Sequence, residues 1–139
     1  MKAFDTDVLT DLLDGRIDYW QRLADIPPRS QAIPVIVVEE VLRGRFDFIR
    51  QAQSGRKRGN LTRAYHDFER SFTDLRSQQL LSYDETADGV FVGWRKQGLR
   101  TPTNDLRIAA TCVSHQATLV SRNRKDFEGL SGLNVEFWE

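Results

Sequence analysis

The 139-residue sequence contains a single cysteine, Cys112, so it cannot form an intramolecular disulfide, and nothing in it points to an oxidising compartment. Its two histidines, His66 and His115, have no partner at metal-ligand spacing, and there is no His-Glu-x-x-His, so a zinc hydrolase of that type is excluded. No long apolar run is present. The stretch around Pro34 extends only from Ala32 to Val38, far short of the roughly 20 residues that cross a bilayer. There is no Gly-x-Gly-x-x-Gly or Walker-type loop, which argues against dinucleotide and P-loop nucleotide binding. The N-terminus turns acidic after Lys2, so no secretory signal is expected, and the expected location is the cytoplasm. Net charge is also missing: 20 Lys+Arg meet 20 Asp+Glu, which removes the simplest electrostatic argument for a nucleic-acid partner.

What is present fits one ordinary globular domain over residues 1–139. The chain is 40% apolar and 29% charged, and it is too short for two independent cores. The charges are unevenly placed. Residues 1–25 carry three basic and six acidic side chains, whereas residues 43–63 carry seven basic side chains and only Asp47 on the acidic side. Arginine dominates, with only four lysines in the chain. The pattern suggests either a polarised surface, with Arg43, Arg45, Arg56, Lys57 and Arg58 as candidate phosphate contacts, or simply a pair of solvated helix faces.

Ala3-Phe4-Asp5 reads as a short entry strand. Thr6 or Asp5 then caps a helix bearing Val8, Leu9, Leu12 and Leu13 and closed by Gly15. A second helix places Ile17, Trp20, Leu23 and Ala24 on one side and ends at Pro27-Pro28. Ile33 to Val38, β-branched and apolar on both faces, predicts a buried strand, with helical spacing from about Val38 to Ala52. Gly55 and Gly59 bracket an exposed basic turn. Leu61, Tyr65, Phe68, Phe72 and Leu75 form the stripe of an amphipathic helix, with Phe68 and Phe72 facing either the core or a partner chain. Leu80 to Tyr83 predicts a short strand, and Asp84 starts a helix with Ala87, Val90, Phe91 and Trp94 inward. A nearly all-apolar helix follows Thr101-Pro102-Thr103, then a strand over Ala117–Ser121, a helical turn to Phe127 and a last strand at Val135–Phe137. Trp20, Trp94 and Trp138 read as packing residues and Cys112 as an inert core thiol. Strands alternating with helices predict a three-layer α/β/α fold around a central parallel sheet.

Ligands of an open parallel sheet bind beyond the carboxyl ends of its strands. Asp5 ends the first strand, Glu39 and Glu40 follow the second, Asp105 lies in the first turn of the apolar helix, and Asp126 lies five residues past Ser121. Each acid alone has a structural reading, as a cap, a helix-dipole partner or a solvated charge. Four acids from four segments at one rim are different. At an effective dielectric of about 20, two carboxylates ~4 Å apart repel by roughly 4 kcal/mol, so such a group needs a shared proton or a cation. Oxygen-only ligands favour a hard ion, Mg²⁺ or Mn²⁺.

Phe4-Asp5-Thr6-Asp7-Val8-Leu9, Val38-Glu39-Glu40-Val41-Leu42-Arg43-Gly44, Asn104-Asp105-Leu106-Arg107-Ile108-Ala109-Ala110 and Ser121-Arg122-Asn123-Arg124-Lys125-Asp126-Phe127 together resemble the four signature segments of PIN-domain ribonucleases, in family order across residues 4–127. The resemblance is nearest to the VapC-type toxins of toxin–antitoxin pairs. It implies a single PIN-like domain with a parallel sheet of about five strands and RNA cleavage dependent on Mg²⁺ or Mn²⁺. It also implies a VapB-like antitoxin partner and a homodimer. By position it assigns the metal site to Asp5, Glu40, Asp105 and Asp126, supported by Thr6, Ser121 and Asn123. Asp7 stands where the family usually has Asn and adds negative charge. Glu39 stands where a small residue is common, and the choice of Glu40 rests on alignment to Gly44.

Phe4 to Thr10 also resembles the opening Asp-x-Asp motif of haloacid-dehalogenase-type phosphatases, in which Asp5 would be the nucleophile. The chain is short for that fold, and its later acids fall in the wrong segments. A phospho-receiver gathers acids in a similar way, but the sequence offers no convincing phosphoacceptor strand. A PIN-like RNA-binding module with a silent site is the non-enzymatic alternative.

Overall fold

The computed structural model describes residues 1–55 and 60–139, so the expected basic turn with Arg56, Lys57 and Arg58 lies outside the described residues. Five short strands form one all-parallel sheet in the order β3-β2-β1-β4-β5: β1 (Lys2–Phe4), β2 (Gln31–Pro34), β3 (Leu80–Leu81), β4 (Thr118–Ser121) and β5 (Asn134–Phe137). Seven α-helices among the described residues flank it: α1 (Thr6–Leu13), α2 (Ile17–Leu23), α3 (Val35–Gln53), α4 (Leu61–Arg76), α5 (Glu85–Lys96), α6 (Thr103–Ser114) and α7 (Arg124–Phe127). This is the expected α/β/α, PIN-like architecture. From β1 the chain moves outward through β2 to β3, then returns to the opposite side of β1 as β4. The strand order therefore reverses between β1 and β4, and a crevice opens there at the carboxyl edge.

The core follows from the apolar pattern. β1 and β4 bury Ala3, Phe4, Leu119 and Val120, and α6 lies against them with Leu106 and the unbroken run Ile108–Cys112 buried. Cys112 is free, and burial pushes its thiol up to about 12, in keeping with an inert core residue. Asp84 caps α5 by accepting the Ala87 N–H, and Ala87 and Trp94 point inward. Gly15 ends the first helical segment with φ +87°, a conformation that favours glycine.

Two expectations are corrected, and a third, left open, is resolved. Val35–Val38 is the first turn of α3, not strand: Pro34 supplies the N-cap backbone, and the chain turns helical four residues after β2 begins. Apolarity on both faces suited a helix packed over the sheet as well as a strand within it. In α2 the buried residue is Tyr19, whereas Ile17 and Trp20 are 72% and 51% exposed. The buried Trp138 explains the rotation. It packs against Tyr19 and Phe4 with ring centroids 5.3 and 5.7 Å away, and the Tyr19 hydroxyl donates to the Trp138 carbonyl at 2.7 Å. Trp20 instead donates its indole N–H to the Leu12 carbonyl at 2.8 Å. In α4 the buried side is Ala64, Ser71 and Leu75, and most of the apolar stripe faces outward: Leu61, Tyr65 and Phe72 are exposed beside Phe46 of α3. No helix among the described residues is long and apolar enough to cross a membrane.

Ile108→Ala should lower unfolding free energy by ~2–4 kcal/mol in urea titration, because it opens a cavity beside the sheet. Phe72→Ser, on the exposed stripe, should change it by no more than about 0.5 kcal/mol.

Candidate metal and active site

The crevice is built around Asp5. The residue leaves β1 in extended geometry and caps α1, its Oδ1 accepting the Val8 N–H at 3.0 Å. Its Oδ2 accepts the Ser121 hydroxyl at 2.5 Å, so the end of β4 is bonded to the start of α1. Ser121 Oγ in turn accepts the Asn123 N–H at 3.0 Å. Asn123 caps α7 by accepting the Asp126 N–H at 3.3 Å and donates from Nδ2 to Asp126 Oδ2 at 2.7 Å. One relay of short-range bonds thus runs from Asp5 through Ser121 and Asn123 to Asp126.

The opposite wall comes from α3 and α6. Thr6 donates its hydroxyl to Glu40 Oε1, which ties the second turn of α3 to the first of α1. Glu39 turns away to solvent and accepts from Arg43 at 2.8 Å, so the structure separates the two adjacent glutamates. Asp105, in the first turn of α6, feels the charges of Asp126, Glu40 and Asp5. The other three acids therefore all lie within electrostatic reach of Asp105.

Burial, then the repulsion of Asp126 and Glu40, pushes the Asp105 carboxyl up to about 7. Asp5 rises to about 6, again chiefly through burial. The Ser121 and Val8 bonds oppose the rise, Asp7 adds to it, and Arg122 acts against it. Among the described residues, no three His, Cys, Asp or Glu side chains stand as a ready-made metal cage. The acids act on one another instead through Asp105, whose carboxyl is raised by the charges of Asp126, Glu40 and Asp5. The chemistry of these oxygen donors suits a hard divalent cation, whose charge would relieve the repulsion that raises Asp105.

The basic candidates are less uniform. Arg43 is exposed beyond its bond to Glu39, whereas Arg45 donates its Nε to the buried Ser71 hydroxyl at 2.9 Å and ties α3 to α4. Sequence reading gives no role to Arg122 or Asp11, which pair at 2.8 Å on the crevice rim. The only available signal is that Arg122 lies between Ser121 and Asn123. Asp11 gives none, because only folding brings α1 beside the β4–α7 turn.

Comparison with known proteins extends this picture. No protein-family model and no curated protein matches the chain. Solved structures do match. A toxin–antitoxin complex from Klebsiella pneumoniae contains a chain 29% identical to this one, with a TM-score of 0.70, covering 96% of this chain and 95% of that one. VapBC2 from Rickettsia felis, bound to a DNA fragment from its promoter, matches at 19% identity and a TM-score of 0.74 over 99% and 98%. VapBC-1 from nontypeable Haemophilus influenzae matches at 22% identity and a TM-score of 0.72 over 99% and 97%. The resemblance to VapC-type PIN-domain toxins thus extends to the fold.

The raised carboxyls set the sign of a pH dependence. Asp5 and Asp105 bind protons more tightly folded than unfolded, so their contribution to stability is fully present below about pH 4. It is lost as pH rises through about 6 and 7. Asp105→Asn should therefore melt roughly 3–5 °C above the parent chain at pH 8 without divalent ions, the shift expected for ~1 kcal/mol in a domain of this size. The two melting curves should converge near pH 4. Parallel curves from pH 4 to 8 would contradict the assignment.

Proposed function

We propose that this chain is the toxin of a toxin–antitoxin pair, a divalent-cation-dependent endoribonuclease that hydrolyses RNA phosphodiester bonds. The observation that carries the reading is the convergence of Asp5, Glu40, Asp105 and Asp126 from four separate segments on the crevice beside β1 and β4. The toxin–antitoxin neighbours support it.

In this reading Asp5, Asp105 and Asp126 hold Mg²⁺ or Mn²⁺ directly or through water. The ion, when bound, neutralises charge on the phosphodiester and acidifies a water. Asp5 is pre-oriented by Val8 and Ser121, and Asp126 by Asn123, so neither needs to reorganise. Glu40, steadied by the Thr6 hydroxyl, aligns the attacking water or joins the ligand set. Arg43 meets the RNA backbone together with Arg56, Lys57 and Arg58. Arg45 contributes less, because its Nε is committed to Ser71. The phosphatase reading gains nothing from the site: both Asp5 oxygens already accept hydrogen bonds and Oδ1 is a helix cap, which ill suits a nucleophile.

A VapB-like antitoxin and a homodimer complete the proposal, in the cytoplasm. The candidate contact surface is the outward stripe of Phe46, Tyr65 and Phe72 on α3 and α4. A second is the apolar groove of about 510 Å³ lined by Leu12, Leu13, Trp20 and Leu23.

Incubated with a pool of tRNA and rRNA, the chain should cut with Mg²⁺ or Mn²⁺ and stop with EDTA. Asp5→Asn and Asp105→Asn should each lose at least ~100-fold in rate while remaining folded. Full activity in Asp5→Asn would remove the site assignment, and metal-insensitive binding without cleavage would favour the silent module. A Phe46→Glu, Phe72→Glu double variant should weaken self-association or antitoxin binding in light-scattering measurements. Both being unchanged would discard that surface.

A further inference from the structure

The rim of the crevice carries a cation to which the proposed chemistry assigns no role. Arg122 lies between Ser121 and Asn123, both of which are bonded into the acid site. Its side chain crosses to α1, where Nη1 donates to Asp11 Oδ2 at 2.8 Å, and among the described residues that is its single hydrogen-bonded partner. The same Asp11 oxygen receives Arg16 Nη1 at 3.3 Å. Arg16 is held more firmly. Its Nε donates to Asp18 at 2.8 Å, and its guanidinium lies 3.8 Å over the Tyr19 ring, which is itself fixed to Trp138. Asp11 therefore has one anchored cation and one attached by a single exposed contact.

An exposed pair of this kind contributes little to folding. It does hold a guanidinium close enough to Asp5 to act on that carboxyl. A polyanion entering a crevice lined by Asp5, Asp7, Glu40, Asp105 and Asp126 meets like charge, and Arg122 stands where that repulsion must be offset. A guanidinium fork also matches two oxygens of one phosphate, which a lysine cannot do.

Resting on the ribonuclease reading above, we propose that Arg122 is the residue that grips an RNA backbone phosphate beside the acid site. It leaves Asp11 to do so, while Arg16 stays behind to neutralise the vacated carboxylate.

The test titrates a fluorescein-labelled single-stranded oligoribonucleotide into Asp105→Asn protein with Mg²⁺ present, followed by anisotropy at several salt concentrations. Adding Arg122→Gln should weaken binding about tenfold and make the slope of log affinity against log salt shallower by ~0.7, the loss of one single-strand phosphate contact. Arg122→Lys should recover part of the affinity. Asp11→Asn should leave binding unchanged or tighten it, because it frees Arg122. Unchanged affinity and slope in Arg122→Gln would overturn the proposal. So would an Asp11→Asn variant as weak as Arg122→Gln, since the pair would then merely brace the turn. Failure of the parent protein to bind the oligonucleotide would overturn it as well. If Asp105→Asn binds the oligonucleotide but the unsubstituted chain cleaves no RNA with either metal, the ribonuclease reading fails while the Arg122 assignment stands on its binding data.

Discussion

The hydrogen bond from Ser121 to Asp5 joins the two strands between which the sheet changes direction, and the candidate site is organised around it. Asp5 is almost wholly buried, and an ionised carboxylate there is tolerable only because both oxygens are met. Removing either partner would leave a buried oxygen unsatisfied. The same bond sets the spacing of everything downstream, since Ser121 also receives the Asn123 N–H and Asn123 holds Asp126. Parallel pairing of β1 with β4 brings the ends of these strands together, and the side chains convert that adjacency into a defined cleft.

The cleft is electrostatically unfavourable for the fold that holds it. Burial and like-charge repulsion raise both Asp5 and Asp105 well above an ordinary aspartate. A protein under selection only for stability has little use for four converging acids. Such local conflict marks functional sites, where a fold otherwise consistent at every level departs from its own rules.

Much of this was legible from residue order, and the exceptions have physical causes. The strand-end acids follow from chain position alone, because in a parallel sheet each strand delivers its next residues to the same edge. The alternation that located β4 and α6 was equally plain. Val35–Val38 was ambiguous because a fully buried strand and a buried helical turn share the same apolar pattern. The face of α2 departs from its local period because its inward residue is chosen by Trp138, more than a hundred positions away, which no local period can encode. In α4 the stripe is real but faces outward, since periodicity identifies an apolar face without saying what covers it. The Glu39–Glu40 choice needed the helix itself, which turns one to Thr6 and the other to Arg43. The Asp11–Arg122 pair is long-range and leaves no pattern at all.

The sheet is bounded by β3, two residues long, and β5, four residues long with a salt bridge from Lys2 to Glu136 across its face at 2.6 Å. Borders this short offer few free backbone amides and carbonyls for another strand to extend. Growth of the sheet into a neighbouring molecule is thereby discouraged at both margins. A second chain is left to engage through side chains on helices, where recognition depends on the shape and chemistry of particular residues. Contacts of that kind can be remodelled one residue at a time, so specificity for a partner can drift without disturbing the strands that hold the acids.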